Sequence, residues 1–397
     1  MVRVIGTGAR TPFGVGPAAL LEGLCAARPA FVAYEPFARA GLKFPLAAAV
    51  PETVVFDPTL VTRERGARLL EGAVRDALED ATGARTLEGL ASVPRERVAL
   101  VAGTSSSGIG PFCAALSAGQ PRPDDDARYA SATHAVARAL GVRGPVLVVC
   151  SVCASGALAI AEAAQMIASG DVDVAIAAGF DPLEPFVGAG FDSLNALCEL
   201  PRPFRAGRRG LVLGEGSAAL VLASDGVLPA SRVRGFVRGW GESADAHHLT
   251  APDPEGKGVA RAIERAMACA GITRDDVAVV NAHGTGTPYN DAMESAALVR
   301  VFGARGGERP VYTVKGTIGH TLGAAGAIEA VVSLSAMEAR IIPPTVTGGA
   351  PDPKCDLDLV IDHARRCDAS LTLSMSSAFG GANCVLVLAR GDDGAAR

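Results

Sequence analysis

Cys153, His283, Lys315 and His320 each stand at a glycine-rich or small-residue turn. The apolar run Val146-Leu147-Val148-Val149 gives way to Cys150-Ser151-Val152-Cys153-Ala154-Ser155-Gly156, and then to an alanine-rich stretch reaching Ala168. The pattern predicts a strand, a turn and a helix, with the thiol at the positive helix end, where thiolate is favoured. A thiolate makes thioesters, and two imidazoles can donate hydrogen bonds to a carbonyl gaining negative charge. Plainer alternatives stand beside this: a small buried cysteine, and histidines satisfied in the core or at the surface. Cys150 and Cys153 also form a C-x-x-C, which is a redox spacing; zinc would need a second pair, which the chain lacks. His134, His248 and His363 read as core or surface residues, and His247, in a loop with His248, is left open.

The chain has 397 residues, 49% apolar and 20% charged, which is a globular composition. A net charge of -5 gives no electrostatic case for nucleic acid. Basic charge is mostly arginine; the lysines are Lys43, Lys257, Lys315 and Lys354, so Lys315 inside a motif is notable. The start breaks into glycines too early for a secretory segment, and the apolar run 146–168 is interrupted by Ser151, Ser155, Glu162 and Gln165. That run is expected in the core, with no membrane span. Nine cysteines without scaffold spacing fit reduced thiols in the cytoplasm.

The elements that must position these residues follow from periodicity. Strands are expected over 2–6, 98–102, 172–178 and 218–223, with a loop over 7–16 and helices over 68–80 and 130–140. Residues 120–127 read as a surface excursion, and 185–198 as loop or short helix. After residue 225 the pattern restarts: a strand over 233–237, a helix through Val259 and Met267 closed by Gly271, and strands over 277–280, 311–314, 357–361 and 384–388. Residues 319–330 resemble 153–163 in order and character. The chain therefore reads as two copies of one α/β unit, 1–228 and 229–397, with Cys153 and His320 at pseudo-symmetric positions. Sites in such folds gather at the carboxyl ends of strands, where all three turns lie.

On these motifs the chain resembles the elongating β-ketoacyl-acyl carrier protein synthases. The match runs from Gly141-Val142-Arg143-Gly144-Pro145 through Cys153-Ala154-Ser155-Gly156, Arg202-Pro203-Phe204, Gly214-Glu215-Gly216 and Ala282-His283-Gly284-Thr285-Gly286-Thr287. It continues through Asp291, Lys315-Gly316 and Gly319-His320 to Phe379-Gly380-Gly381. The resemblance implies a thiolase fold: two pseudo-symmetric α/β halves in a layered αβαβα sandwich, forming one integrated unit. It implies decarboxylative condensation of a Cys153-bound acyl chain with malonyl-acyl carrier protein, in fatty-acid or polyketide synthesis. The backbone amides of Cys153 and Phe379 would form the oxyanion hole. His283 and His320 would hold the malonyl thioester, Lys315 would pair with Glu329 and orient His320, and Asp291 would brace the His283 loop. Thr285 and Thr287 would bind the pantetheine arm, which arrives on the carrier, so no cofactor or metal is expected to reside in the protein. The expected partners are an acyl carrier protein and a second ketosynthase-like subunit, identical or related.

The chain also departs from the family. Ser151-Val152 stands for the common Thr-Ala, Arg205 for the Asp after Arg-Pro-Phe, and Arg209 for the acidic residue before Gly210. The gating loop reads Ser377-Ala378-Phe379-Gly380-Gly381, with Ala378 for a flexible glycine, while Ile109 takes the place of the gate to the acyl pocket. An altered acyl preference is the expectation. Arg63, Arg65 and Arg68, with Arg208 and Arg209, are candidates for docking an acidic carrier, or else belong to a solvated charged face. The alternative function is a catalytically idle partner that shapes a heterodimer's pocket, against which Cys153 itself argues.

Overall fold

The computed structural model describes residues 1–120, 127–227 and 233–391. Apart from Gln120 and Ala127, the excursion expected at 120–127 lies outside those residues, as does the boundary at 228–229. A twelve-stranded sheet runs through the molecule. Its first half orders β3 (Val146–Val149), β2 (Val98–Gly103), β4 (Val174–Asp181), β5 (Gly216–Ala223) and β1 (Val2–Thr11). The second half orders β8 (Pro310–Tyr312), β7 (Val279–Asn281), β10 (Leu371–Ser377), β11 (Ala382–Arg390) and β6 (Gly235–Ala244). In both halves the first three strands are parallel and the last two pairings antiparallel. The halves join where Val2–Val4 of β1 pair with Gly235–Val237 of β6. Two further strands complete the twelve: β9 (Asp358–Leu359) lies parallel outside β8, and the short strand Gly14–Val15 pairs antiparallel with the end of β1.

Helices complete five layers. On one outer face α1 (Arg65–Thr82) and α3 (Ser131–Leu140) bury Leu70, Val74, Leu78 and Val136 against β2, β4 and β5. On the other, α6 (Lys257–Ala270) and α7 (Pro288–Phe302) bury Val259, Ile263, Met293 and Leu298 against β7, β10 and β11. Between the half-sheets lie α4 (Ser155–Ala168) and α8 (Ala325–Ala339), sharing one core with Val4, Val101 and Leu220 on one side and Leu386 and Leu388 on the other. Their crossing explains the small residues. A side chain at Gly156 would stand 2.7 Å from the Gly323 carbonyl oxygen, and one at Gly326 2.5 Å from the Ala157 nitrogen. The only stretch among the described residues long and apolar enough to cross a membrane, Leu322–Ala339, is this inner helix with its approach turn, and 83% of it is buried.

Three expectations change, and one open alternative, at 185–198, is resolved. The first strand runs on to Thr11, because Gly6 and Gly8 serve close packing and not a turn: a Cβ at either would lie 2.3 Å or 2.2 Å from carbonyls of α1. The expectation that 357–361 closes the second half as 172–178 closes the first is not met: the counterpart of β4 is β10, an unexpected strand whose Ser374, Ser376 and Ser377 are all buried. Residues 185–198 contain a helix, α5 (Pro185–Ser193), with proline in its first turn. The run 146–149 is not core: β3 lies at the sheet edge with Leu147 37% exposed.

Candidate active site

The turn between β3 and α4 holds Val152 at φ 50°, a left-handed conformation costly for a β-branched residue. The Ser155 hydroxyl fixes it, accepting from the Ser151 amide at 2.8 Å and donating to the Val152 carbonyl at 2.6 Å. Cys153 follows in a short 3-10 turn, Val152–Ala154, and is 4% exposed. The approach to α8 repeats this geometry: Leu322 has φ 53° and opens the 3-10 turn Leu322–Ala324. By this match the symmetry mate of Cys153 is Gly323. His320, expected there, lies three residues earlier, opposite Cys150.

His320 is pinned by its backbone, donating to Val212 at 2.8 Å and accepting from Gly214 at 2.9 Å. His283 is set by Glu294, a residue the sequence reading missed. Its buried carboxylate accepts from the amides of His283 at 2.5 Å and Gly284 at 2.8 Å. Asp291 braces the far end of the same loop, accepting from Gly286 at 3.1 Å and from Phe204 at 2.7 Å. The one local hint of Glu294 is its place three residues after Asp291, on the same face of α7.

Lys315 bonds Glu329 through buried side chains, as expected, but its Nζ meets Nδ1 of His283 at 3.3 Å and not His320. The two imidazoles stand edge to face, 5.2 Å between centres. An ammonium donating to Nδ1 leaves the proton of neutral His283 on Nε2. Burial, and then the Lys315 charge, hold both histidines well below the usual 6.5, so both are neutral at pH 7. Among the described residues, Nδ1 of His320 has no hydrogen-bond partner. Burial pushes the Cys153 thiol up to about 12 despite Lys315, so the expected resting thiolate is instead a thiol. The helix-end effect, a kcal/mol or so, does not offset that desolvation.

Cys153, His283 and His320 open into one cleft of about 300 Å³, which Thr285, Thr287, Ala378 and Phe379 also line. It combines a thiol, two neutral hydrogen-bond donors and the hydroxyls of Thr285 and Thr287.

The description "Beta-ketoacyl synthase, N-terminal domain" matches residues 1–226, and "Beta-ketoacyl synthase, C-terminal domain" matches residues 234–348. The chain belongs to the β-ketoacyl synthase family. It is 35% identical to the tetracenomycin polyketide synthase ketoacyl synthase alpha subunit of Streptomyces glaucescens, over 98% of this chain and 97% of that one. It is 40% identical to 3-oxoacyl-[acyl-carrier-protein] synthase 2 of Staphylococcus aureus, over 64% of this chain and 66% of that one. The solved ishigamide ketosynthase/chain length factor superposes with a TM-score of 0.89 at 32% identity, covering 98% of both chains.

In this β-ketoacyl synthase several expected residues take other places. Ile109 begins α2 (Ile109–Ser117), half-buried, and does not line the cleft; Phe191 does, stacked on Phe379 with ring centres 5.8 Å apart. Ala378 has φ -136°, which alanine adopts freely, while the left-handed positions fall on Gly380 and Gly381. Arg65 is not a free docking charge: it bonds the fully buried Glu215 at 2.5 Å and Glu52 at 2.8 Å. Arg68 lies 5.1 Å over the Phe56 ring, and Arg63 is exposed. His247 is exposed outside the cleft lining. All nine cysteines are free, so Cys150 and Cys153 are not joined in this structure.

Asp181 also escaped the sequence reading. Fully buried at the end of β4, it accepts from the hydroxyls of Thr104, Ser105 and Ser106, the amides of Ser105 and Ser106, and the amide of Gly323. It thus fastens the loop after β2 to the turn that follows His320.

Proposed function

We propose that this protein catalyses decarboxylative Claisen condensation between a Cys153-bound acyl chain and malonyl-acyl carrier protein, in fatty-acid or polyketide synthesis. The observation that carries this is the neutral imidazole pair, set by Lys315 and Glu294, facing the same cleft as Cys153. Cys153 Sγ attacks the carrier thioester, the new C–S bond replaces the old one, and the thiol proton leaves with the carrier's sulfur. The amides of Cys153 and Phe379 stabilise the oxyanion. Malonyl carrier then enters. Nε2–H of His283 and the His320 ring donate to its thioester carbonyl, so the electron pair released as carbon dioxide departs is held as an enolate. That enolate carbon attacks the acyl carbonyl, and the C–S bond to Cys153 breaks, leaving a thiolate that takes a proton from solvent to return the thiol. The nucleophile belongs to residues 1–228 and both histidines to 229–397, so neither copy would act alone. The pantetheine arm arrives on the carrier and passes Thr285 and Thr287, with no resident cofactor.

The bare edge of β3 would receive a second subunit, identical or related, and the free thiols fit a cytoplasmic location. The likeness to a ketosynthase/chain length factor keeps the idle-partner reading in view. Trapping separates the two. After incubation with an electrophilic ketosynthase inhibitor such as cerulenin, peptide mass analysis should find the adduct on Cys153. A folded protein left unmodified at Cys153 would favour the idle partner.

A further inference from the structure

Arg208 and Arg209 are neighbours put to opposite uses. Arg208 is buried: it bonds Asp352 and donates to the carbonyls of Thr287 and Pro288, each at 3.2 Å, shaping the turn into α7. Arg209 is exposed, lines the cleft, and makes no hydrogen bond or ion pair with a described residue. Its backbone is held at that wall. A side chain at Gly210 would stand 2.3 Å from the Ala196 carbonyl oxygen, and one at Gly286 2.9 Å from the Gly210 carbonyl oxygen. Arg209 therefore projects beside the loop that carries Thr285 and Thr287, whose hydroxyls pair at 2.9 Å. On the same rim Asn195 accepts from Lys43 Nζ at 2.8 Å, which brings a second cation to the mouth. Asp245, the carboxylate of the lining, is occupied by Asn383 at 2.7 Å and the Asp253 amide at 3.1 Å.

A malonyl thioester on its arm carries two anionic groups. The carboxylate lies two bonds from the thioester carbonyl and must sit at the buried end, with His283 and His320. The phosphate lies at the other end of the pantetheine, toward solvent. A guanidinium with no partner among the described residues, at that outer end, matches a phosphate in charge and fork geometry. We propose that Arg209 binds the phosphate of the phosphopantetheine arm, so that the enzyme selects phosphorylated arms over bare pantetheine. This rests on the condensing function proposed above, since that function brings the arm into the cleft.

Equilibrium titration with phosphopantetheine and with pantetheine tests it without requiring turnover. The wild-type enzyme should bind the phosphorylated arm about tenfold more tightly, the scale of one charge-assisted contact. Arg209→Gln should erase the difference, and Arg209→Lys should keep part of it. Equal binding of the two arms by the wild type, or a preference that survives in Arg209→Gln, overturns the proposal. Turnover of malonyl-phosphopantetheine by the wild type reads separately on the condensing reaction. If phosphate preference depends on Arg209 but no turnover occurs, the condensing function fails while the phosphate site stands.

Discussion

The two half-sheets share strand order and strand direction, yet they end differently. In the second half the outermost parallel strand, β8, is covered by β9, and its Val311 and Tyr312 are each 1% exposed. In the first half the equivalent β3 has no strand outside it among the described residues, and Leu147 is 37% exposed. The inner turns diverge in the same manner. Val152 and Leu322 adopt one left-handed conformation, but the next residue is Cys153 in one copy and Gly323 in the other. The copy with the open edge carries Cys153; the copy with the closed edge carries the two histidines. One scaffold has thus been given two tasks, with the chemistry asymmetric where the backbone is not.

The largest effect expected is at the turn where the copies differ chemically. Cys153→Ala should abolish condensation, by at least a thousandfold, since no other thiol lines the cleft. Cys153→Gln should still decarboxylate malonyl carrier, because His283 and His320 remain. Carbon dioxide release and ketoacyl formation, measured side by side, check both. Loss of decarboxylation in a folded Gln variant would count against the roles given to the histidines.

Next is the edge. Leu100 donates to the Pro145 carbonyl at 2.9 Å and Thr104 to that of Val149 at 3.1 Å. In a parallel ladder residues 145, 147 and 149 then face β2, while Val148 turns its amide outward. Val148→Pro removes only that outward donor. Light scattering should show a dimer for the wild type, alone or with a related subunit, and a monomer for Val148→Pro. A proline variant that stays dimeric would show that the open edge is not where the second subunit sits.

The difference at the turns also predicts stability. A methyl group at Gly323 would lie 2.7 Å from the Asp181 carboxylate and 2.7 Å from the Ser105 amide nitrogen. Gly323→Ala should therefore cost about 1–3 kcal/mol by denaturant unfolding, more than Cys153→Ala, which only removes one atom from the cleft wall. If the two cost the same, the loop held by Asp181 has room that the structure does not show.

Much of this arrangement was legible in the sequence. Glycine-flanked motifs placed Cys153, His283, Lys315 and His320, and hydrophobic periodicity placed most strands and helices, because those features are local. What stayed hidden is non-local. Glu294 and Asp181 look like ordinary charges until their partners, backbone amides and hydroxyls on other segments, are known. Arg65 reads as a surface cation because Glu215, its buried partner, is 150 residues away. The strand β10 goes unmarked because its serines break an apolar run, and sequence does not say that both its faces are covered. The symmetry mate of Cys153 was misplaced because His320 drew the alignment by chemistry, whereas the backbone sets it by the left-handed residues.

The smallest effect concerns pH, and it sharpens what the second copy contributes. His283 and His320 stay neutral well below 6.5, with burial the larger cause and Lys315 next. Decarboxylation should therefore be nearly flat from pH 8 to pH 6, with its acid limb well under the range of a solvent-exposed histidine. Stability has the corresponding sign: below about 6.5 the unfolded chain takes up protons that the folded pair refuses, so the histidines' contribution is lost as pH falls from there. Lys315→Met removes the cation but leaves the burial, so the acid limb should move upward while staying below 6.5. Rate against pH for the wild type and this variant decides it. A limb that does not move would mean that burial alone keeps the histidines neutral, and that Lys315 acts only by holding the His283 ring in place.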